Sequence, residues 1–238
     1  MSATLYLIPT PIAEGDFGSF FPALNAEVIN RIDHYIVEEL RSARRFLRRA
    51  GIRKRIDELR FFELNDHTQG MELNEYLRPC LEGHDMGLMS EAGVPCVADP
   101  GGMAVAKAHQ LGIRVVPLIG PSSLILALMG SGMNGQSFTF HGYLPVERQE
   151  RERALRALEA DAVRTGYTQM FIETPYRNRH MADSICKVCQ PATRVCVAAG
   201  LTSGDALLKT QSVAKWRKYF ESEENALGKR PCIFLLGR

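Results

Sequence analysis

The segment Ser90-Glu-Ala-Gly-Val-Pro-Cys-Val-Ala-Asp-Pro-Gly-Gly102 decides how this sequence folds. It follows a short apolar run at residues 86–89 and precedes an amphipathic pattern at residues 103–112, which predicts a strand, a loop and a helix. In open α/β sheets, ligands dock on loops at the carboxyl ends of strands. The glycines let the backbone approach a ligand closely, and the carboxylates of Glu91 and Asp99 can accept hydrogen bonds from sugar hydroxyls. The alternative interpretation is a plain connection into a capped helix.

The composition is that of an ordinary globular protein. Of 238 residues, 45% are apolar and 24% are charged, and the net charge of +2 favours no class of partner. The longest apolar runs are too short to span a bilayer, and the N-terminus lacks the features of a signal peptide. Without such a signal, the six cysteines are expected to be reduced thiols. We therefore expect a cytoplasmic protein with no membrane segment.

Short apolar runs alternate with helical patterns through the first half of the chain. The predicted strands there lie at residues 4–8, 35–37, 60–64, 87–89 and 113–116. This alternation predicts a parallel sheet covered on both faces. The segment Pro117-Leu-Ile-Gly-Pro121 interrupts the rhythm, and further strands and helices follow it. The sequence thus predicts an α/β fold with two α/β domains, residues 1–119 and 120–238, and a ligand cleft between them.

Polar side chains follow several predicted strands at the point where each strand ends. Because the carboxyl ends of parallel strands share one edge of a sheet, these groups are expected to meet there and to supply a general base. They are Thr10, Glu38, Glu39, Asp66, His67, Ser90 and Glu91. Taken singly, each is more simply a cap or a hydrogen-bond partner, so the grouping is what indicates a site.

A strongly basic helix is predicted at residues 40–50. No acidic residue occurs between positions 41 and 55, and the arginines lie opposite the apolar stripe of the helix. The side chains expected to contact a nucleic-acid backbone are Arg44, Arg45, Arg48 and Arg49. A solvated face is the alternative. At residues 147–159 arginines and glutamates are interleaved instead, which predicts an ion-paired surface helix.

Two further patterns are expected to be structural. Gly130-Ser-Gly-Met-Asn-Gly135 matches a dinucleotide fingerprint, but it follows a helix and precedes a strand, the reverse of the order that binds pyrophosphate. Cys186-Lys-Val-Cys189 lacks the second close pair that a structural zinc site needs. The first is predicted to be a helix end and a turn, the second a pair of reduced core thiols. No metal site is predicted.

The order and spacing of several motifs resemble the tetrapyrrole methylase superfamily of S-adenosylmethionine (SAM) dependent methyltransferases. Within it, the resemblance is strongest to the branch that methylates a cytidine 2′-hydroxyl of small-subunit ribosomal RNA, and it covers nearly the whole chain. The segments that carry it are Ile8-Pro-Thr-Pro-Ile12, Glu38-Glu-Leu-Arg41, Asp66-His67, Ser90-Glu-Ala-Gly-Val-Pro95, Asp99-Pro-Gly101, Val115-Val-Pro-Leu-Ile-Gly-Pro121, Ser131-Gly132, Phe140-His-Gly-Tyr-Leu-Pro145, Glu173-Thr-Pro-Tyr-Arg177 and Leu201-Thr202.

The resemblance implies two α/β domains with SAM in the cleft between them, and a homodimer. For the acceptor hydroxyl, the candidate general bases are Glu38, Asp66 and His67, with Arg41 orienting a carboxylate or a phosphate. The residues that it assigns to the cofactor are Pro9, Thr10, Pro11, Ser90, Glu91, Ala92, Gly93, Val94, Pro95, Asp99, Ser122, Ser123, Ile172, Glu173, Leu201 and Thr202.

The chain departs from this branch near the expected cofactor and substrate site. Ser203 and Ala206 stand where a lysine and a glutamate are usual. The leading hypothesis is 2′-O-methylation of ribosomal RNA, with RNA or the small ribosomal subunit as partner. One alternative is methylation of a tetrapyrrole or another small molecule. A second alternative is a catalytically inactive RNA-binding paralogue.

Overall fold

The fold is known from a computed structural model, and the structure describes residues 3–13, 15, 17–64, 68, 72–223 and 226–238. The chain divides into two compact units, Met1–Ser122 and Ser123–Arg238. The predicted boundary after residue 119 lies just before this division. Each unit is built around its own five-stranded sheet, which agrees with the expected α/β class.

The first unit contains a fully parallel sheet. Its strands are β1 (Thr4–Leu7), β2 (His34–Val37), β3 (Arg60–Glu63), β4 (Met86–Met89) and β5 (Arg114–Pro117). They lie in the order β3-β2-β4-β1-β5, and every neighbouring pair is parallel. The parallel sheet predicted for the first half of the chain is therefore confirmed.

Both faces of this sheet are covered. Successive side chains of a strand point to opposite faces, and accordingly Tyr35 and Val37 pack in one apolar cluster while Ile36 packs in another. Gly87 leaves no room for a side chain, since an added Cβ would lie 2.7 Å from Ile8 and 2.9 Å from Tyr35. Near-continuous burial of β4 places the loop after it at the edge of a rigid scaffold.

The helices of the first unit are α1 (Ala23–Ile29), α2 (Leu40–Arg49), α3 (Glu72–Tyr76), α4 (Arg78–Leu81) and α5 (Gly101–Gln110). Two prolines set the bounds of these helices. Helix α1 begins only after Pro22, because the residue before a proline is driven out of the helical region. Helices α3 and α4 are separate next to Pro79, whose nitrogen has no hydrogen to donate.

The second unit contains a mixed sheet. Its strands are β6 (Phe138–Tyr143), β7 (Thr168–Glu173), β8 (Arg194–Ala199), β9 (Leu207–Ser212) and β10 (Cys232–Gly237). The order is β6-β7-β10-β8-β9, with β6 and β7 parallel and the remaining pairs antiparallel. Sequence analysis missed β9, which is an edge strand that is largely solvent-accessible and therefore has little apolar pattern.

The helices of the second unit are α6 (Ser123–Ser131), α7 (Arg148–Thr165), α8 (Asn178–Val188) and α9 (Val213–Ser222). The glycine-rich segment after residue 130 forms the end of α6 and a turn in which Gly132 has a φ of +64°, as predicted. Cys186 and Cys189 are free thiols at the end of α8, and burial raises their pKa values to about 11 and about 12. Within the described ranges, no helix combines the length and apolar character needed to cross a bilayer.

Candidate active site

Two loops meet at the carboxyl edge of the parallel sheet. Thr10, after β1, and Gly93, after β4, form an antiparallel bridge. The amide of Thr10 donates to the Gly93 carbonyl at 2.9 Å, and the amide of Gly93 donates back at 3.2 Å. The Thr10 hydroxyl also lies 3.3 Å from the carbonyl of Ser90. The structure thus joins two of the loops that the resemblance assigns to the cofactor.

The backbone of the loop after β4 is tightly constrained. Gly93, Cys96 and Ala98 all have positive φ, at 79°, 70° and 61°. The Asp99 carboxylate accepts from the Cys96 amide at 2.8 Å and from the Gly101 amide at 2.7 Å. A non-glycine residue in the left-handed region costs about 1–2 kcal/mol, so the Asp99 hydrogen bonds offset part of this strain. The Asp99 carboxylate is thus engaged by its own loop, and its assignment to the cofactor stays a prediction.

Ser90, at the start of this loop, carries a buried hydroxyl with no hydrogen-bond partner among the described residues. Its side chain is 9% exposed. Buried hydroxyls are nearly always paired, and an exception calls for a ligand or a water molecule. The next residue, Glu91, is held by its amide, which donates to Oε2 of Glu38 at 3.1 Å. Glu38 therefore lies beside the loop, as expected for a group at the end of β2.

A carboxylate–hydroxyl network links this loop to α2. Glu39 caps α2 by accepting from the amides of Arg41 and Ser42. The Ser42 hydroxyl lies 2.6 Å from Oε2 of Glu39 and 3.0 Å from Oε1 of Glu91. The Ser42 hydroxyl, followed by the two amides, holds the pKa of the Glu39 carboxyl below its ordinary value. Ser42 is thus the connection between the basic helix and the loop after β4.

These elements enclose a pocket, which we call the Ser42 pocket. It is open to solvent and has a volume of about 210 Å³. One wall is the loop at residues 10–13 and another is the loop at residues 90–92. The third wall is α2, through Ser42, Ala43, Arg45, Phe46 and Arg49. Five of the predicted cofactor residues line it, namely Thr10, Pro11, Ser90, Glu91 and Ala92.

The arginines of α2 form a basic surface, defined by Arg41, Arg44, Arg45, Arg48 and Arg49. All five are exposed. Within the described part of the chain, none of them forms a salt bridge with a carboxylate. Arg44 and Arg49 instead lie over the rings of Phe61 and Phe17, at 5.5 and 5.6 Å. The charge of this surface therefore remains available to an anionic partner.

Helix α7 has as many arginines but uses them differently. Glu152 binds both Arg148, at 2.9 Å, and Lys187, at 2.8 Å. Arg151 is buried, where it donates to the Ser184 hydroxyl and the Val146 carbonyl. The prediction of ion pairs on this helix is confirmed for Arg148, whereas Arg151 is a packing residue and not part of a surface pair.

The predicted site residues of the second unit form two local groups. The buried carboxylate of Glu173 accepts from Arg177 at 2.6 Å and from the Thr174 amide at 2.7 Å. Thr202 has a φ of +72° and follows the buried Leu201. Strained backbone at such a position is most often found at functional sites. Ile172 packs against the apolar cluster beneath α6, and Ser123 begins α6 directly after Ser122.

Two of the remaining predicted residues, Asp66 and His67, lie outside the described residues. The other three are Pro9, Val94 and Pro95. Pro9 packs against Gly120, where an added Cβ would meet its ring at 2.1 Å. Val94 and Pro95 continue the loop after Gly93.

Sequence analysis did not single out Ser42 or Phe46. The only signal for Ser42 was its position three residues after Glu39, the spacing at which an N-cap acceptor reaches a helix amide.

Comparison with known proteins places this arrangement in a family. No protein-family model matches the chain. Ribosomal RNA small subunit methyltransferase I of Escherichia coli O157:H7 is 31% identical over 221 residues, which are 93% of this chain and 73% of that protein. The protein of the same name from Micromonospora olivasterospora is 35% identical over 208 residues, covering 86% of this chain and 61% of that one.

The chain belongs to the ribosomal RNA small subunit methyltransferase I family. Solved structures confirm the fold expected from the resemblance. The methyltransferase CobJ matches 99% of the chain and 93% of its own length with a TM-score of 0.62 at 14% identity. The uroporphyrin-III-C-methyltransferase of Thermus thermophilus matches 99% of the chain and 94% of its own length with a TM-score of 0.57 at 15% identity.

Two positions that depart from the pattern expected for the methyltransferase I family now have a structural description. The hydroxyl of Ser203 lies 2.7 Å from the Gly200 carbonyl and 2.6 Å from the Asp205 carboxylate. Asp205 in turn pairs with Arg230 at 3.4 Å. Ala206 donates its amide to the Ser203 carbonyl. Where a lysine is usual, this chain therefore has a closed turn.

Proposed function

We propose that this member of the methyltransferase I family transfers a methyl group from SAM to a ribose 2′-hydroxyl of ribosomal RNA. The observation that carries the proposal is the link between Ser42 and Glu91. It joins a helix of uncompensated arginines, suited to RNA phosphates, to the loop that the family resemblance assigns to SAM. The five arginines extend along a whole helix, which suits the regularly spaced phosphates of an RNA strand better than one small acceptor.

The first unit offers groups that fit such a cofactor. The unpaired hydroxyl of Ser90 can donate or accept one hydrogen bond. The positive φ of Gly93 lets this loop pair with the loop at Thr10, which brings the two predicted cofactor loops together. In our proposal, the loops around Thr10 and Ser90 hold SAM together with the predicted residues of the second unit. The cleft between the domains stays a prediction.

This chain has to hold the acceptor hydroxyl in line with the bond between the methyl group and the sulfur of SAM, and it has to remove the proton of that hydroxyl. When bound, SAM supplies a methyl group on a sulfonium leaving group. Positioning of the acceptor oxygen can account for about 7–11 kcal/mol of the barrier. We assign Glu38 as the general base, because it directly follows β2 and its Oε2 accepts a hydrogen bond from the Glu91 amide. Arg41, one turn along the chain, would orient a phosphate beside it.

Calorimetry and product analysis test the proposal in separate steps. The pure protein should bind SAM and S-adenosylhomocysteine with saturable isotherms. With labelled SAM, it should methylate small-subunit ribosomal RNA, and nucleoside mass spectrometry should detect a 2′-O-methylated nucleoside. Absence of SAM binding would remove the methyltransferase function. Binding of RNA and SAM without transfer would instead support the inactive paralogue.

We also propose a cytoplasmic homodimer. On α6, the apolar side chains of Ile125 and Met129 lie one turn apart and are 48% and 74% exposed. Neighbouring exposed apolar side chains are typical of an interaction surface. Light scattering after gel filtration should give twice the monomer mass, and charged substitutions at both positions should shift it to the monomer.

A further inference from the structure

The second unit exposes two tyrosines at one edge of its sheet. Tyr143 is the last residue of β6, and Tyr176 lies three residues after the end of β7. Because β6 and β7 are parallel neighbours, their carboxyl ends lie at the same edge. The two side chains are 54% and 81% exposed. Large exposed side chains of this kind at one edge are typical of an interaction surface.

A β-bulge sets the position of Tyr143. Phe140 lies opposite Met170. The next pair is Tyr143 with Ile172, so three steps along β6 match two steps along β7. An uninterrupted strand would place Gly142 opposite Ile172 instead. Gly142 has a φ of +64°, which glycine adopts without strain. Since bulges re-aim side chains and are common next to functional sites, the extra residue gives the end of β6 an aromatic ring where it would otherwise have no side chain.

A rigid turn holds Tyr176. The amide of Arg177 donates to the Thr174 carbonyl at 3.0 Å. This hydrogen bond closes a turn with Pro175 and Tyr176 at its tip, and proline fixes its own φ there. Arg177 also binds the buried carboxylate of Glu173 at 2.6 Å. The turn is therefore held at both ends, and a partner that contacts the Tyr176 ring has little backbone left to order.

The two rings differ from the neighbouring residues that are assigned to the cofactor. Ile172 packs against the apolar cluster beneath α6, and Glu173 is 3% exposed. Small-ligand sites are concave and enclose most of their ligand. Side chains as exposed as Tyr143 and Tyr176 suit a partner that approaches from solvent instead.

Unpaired nucleic-acid bases are the partner that fits these rings best. RNA-binding proteins stack splayed-out bases on tyrosine rings, and every base offers a π face for this contact. A tyrosine has two χ angles, so its ring loses little freedom on binding. Two tyrosines bury about 300–500 Å², whereas a protein partner covers roughly 800 Å² of each surface. A few stacked bases therefore match this area better than a protein does.

We propose that Tyr143 and Tyr176 form a stacking surface for unpaired bases of the RNA substrate. The affinity that the rings supply depends on bases, whereas the affinity that the arginines of α2 supply depends on phosphates. The recognised segment of the RNA is therefore single-stranded. This inference rests on the proposed function, because it takes RNA as the substrate.

Binding of short RNA strands to the full chain tests the stacking surface. The probes are a labelled single strand of about 12 nucleotides, the same strand annealed to its complement, and the same strand with abasic positions. Fluorescence anisotropy should show the tightest binding for the intact single strand. Tyr143→Ala and Tyr176→Ala should each weaken this binding about tenfold. Tyr143→Phe and Tyr176→Phe should retain most of the affinity, because their rings still stack.

The duplex and the abasic strand separate stacking from phosphate binding. Both keep their phosphates but offer few or no free bases, so the alanine variants should bind them as the unaltered chain does. Tyr167→Ala is the matched control, because Tyr167 is 45% exposed and precedes β7 at the opposite edge of the sheet. It should leave every affinity unchanged.

Four results would overturn the proposal. They are unchanged single-strand affinity in the alanine variants, an equal loss in Tyr167→Ala, an equal loss in the phenylalanine variants, and an equal loss for the abasic strand. Two further measurements test other roles of the rings. A loss of S-adenosylhomocysteine affinity in the alanine variants would place the rings in the cofactor site, and a changed mass in light scattering would place them against a second copy. Either result would also overturn the stacking surface.

The two proposals fail in different ways. A protein that binds SAM and methylates ribosomal RNA, but whose tyrosine variants bind RNA normally, refutes only the stacking surface. A protein that does not bind SAM refutes the methyltransferase function, and the RNA-binding result then stands on its own, because the anisotropy measurement contains no SAM. Circular dichroism of each variant separates loss of binding from loss of folding.

Discussion

Thr10 and Gly93 lie 83 residues apart in the chain, yet they exchange main-chain hydrogen bonds of 2.9 and 3.2 Å in both directions. This contact holds the loop after β1 against the loop after β4. It depends on glycine, since Gly93 has a φ of +79°. The pairing of the two loops therefore depends on a conformation that other residues adopt only with strain.

Replacement of Gly93 by alanine should weaken cofactor binding as well as the fold. A left-handed alanine costs about 1–2 kcal/mol, so the melting temperature should fall by a few degrees. If the loop holds SAM, its affinity should fall further, as measured by calorimetry. Gly112→Ala is the control, because Gly112 has a similar φ of +70° at the end of α5, away from the site. Equal losses of SAM affinity in both variants would contradict this role for Gly93.

Asp99→Asn should loosen the loop after β4. The carboxylate accepts from the Cys96 and Gly101 amides, whereas an amide side chain brings a donor toward them. We expect a loss of about 1–3 kcal/mol in the free energy of unfolding, with faster hydrogen exchange at Cys96. Urea unfolding and exchange mass spectrometry measure the two effects. Unchanged exchange at Cys96 would show that the carboxylate does not hold the loop.

Charge reversal on the basic surface should weaken the binding of RNA and leave the binding of SAM unchanged. Arg44→Glu, Arg45→Glu and Arg48→Glu together should lower RNA affinity and flatten its dependence on salt, because fewer counterions are released on binding. SAM affinity should stay the same. Filter binding between about 50 and 200 mM salt measures the slope.

The control for this experiment carries the same charge change on α7, at Arg148, Arg153 and Arg156. These side chains are exposed, and Arg148 is paired with Glu152. RNA affinity should fall less than for the α2 variant. Equal losses in both variants would show that net charge, and not the α2 surface, governs binding.

Removal of Arg177 should destabilise the second unit strongly. Glu173 is 3% exposed, and Arg177 binds it at 2.6 Å. A buried carboxylate left without its partner costs about 3–5 kcal/mol. Thermal unfolding of Arg177→Ala should show this loss, and Arg177→Lys should recover part of it. Arg179→Ala, which breaks the exposed pair with Asp183, is expected to cost far less.

Alkaline pH should destabilise the first unit through Tyr35. Burial, and then the charge of Asp33, raises the pKa of the Tyr35 hydroxyl above its ordinary value. The hydroxyl must stay protonated in the folded state. Its contribution to the free energy of unfolding is therefore complete below about pH 10, and the free energy falls by about 1.4 kcal/mol for each pH unit above that value. At pH 8, Tyr35→Phe should have a lower free energy of unfolding, because the hydrogen bond to the Ile29 carbonyl is lost. As the pH rises, its free energy of unfolding should fall less steeply than that of the unaltered chain.

Urea unfolding between pH 8 and pH 11 measures the two slopes. Tyr167→Phe is the control, since Tyr167 is 45% exposed. Its slope should match that of the unaltered chain. Identical slopes for all three proteins would show that Tyr35 does not set the alkaline limit.

Local sequence patterns predicted much of the first unit. Buried parallel strands carry continuous apolar residues, and β4 is buried throughout, which is why residues 86–89 identified it. The basic surface was also predictable, since one helical face depends only on spacing within α2. The strand β9 was not, because Leu207–Ser212 pairs only with β8 and needs no apolar alternation.

The site was harder to predict than the strands. The contact between Ser42 and Glu91 joins residues 49 positions apart, and no local pattern indicates such a pairing. The hydrogen bonds from the Cys96 and Gly101 amides to Asp99 were not predicted either, and its role toward a ligand stays a prediction. The contact between Ser42 and Glu91 depends on how the carboxyl ends of β2 and β4 are placed side by side, which is a property of strand order.

Only Glu38 and Glu39 separate the end of β2 at Val37 from the start of α2 at Leu40. A connection of two residues is too short to absorb an insertion without moving the helix. One inserted residue would turn the arginines by about 100° around the helix axis, and it would pull Glu38 away from the Glu91 amide at the same time. In the proposed function, this two-residue connection therefore sets both the position of the arginines that bind RNA and the position of the general base, so the two would have to change together in evolution.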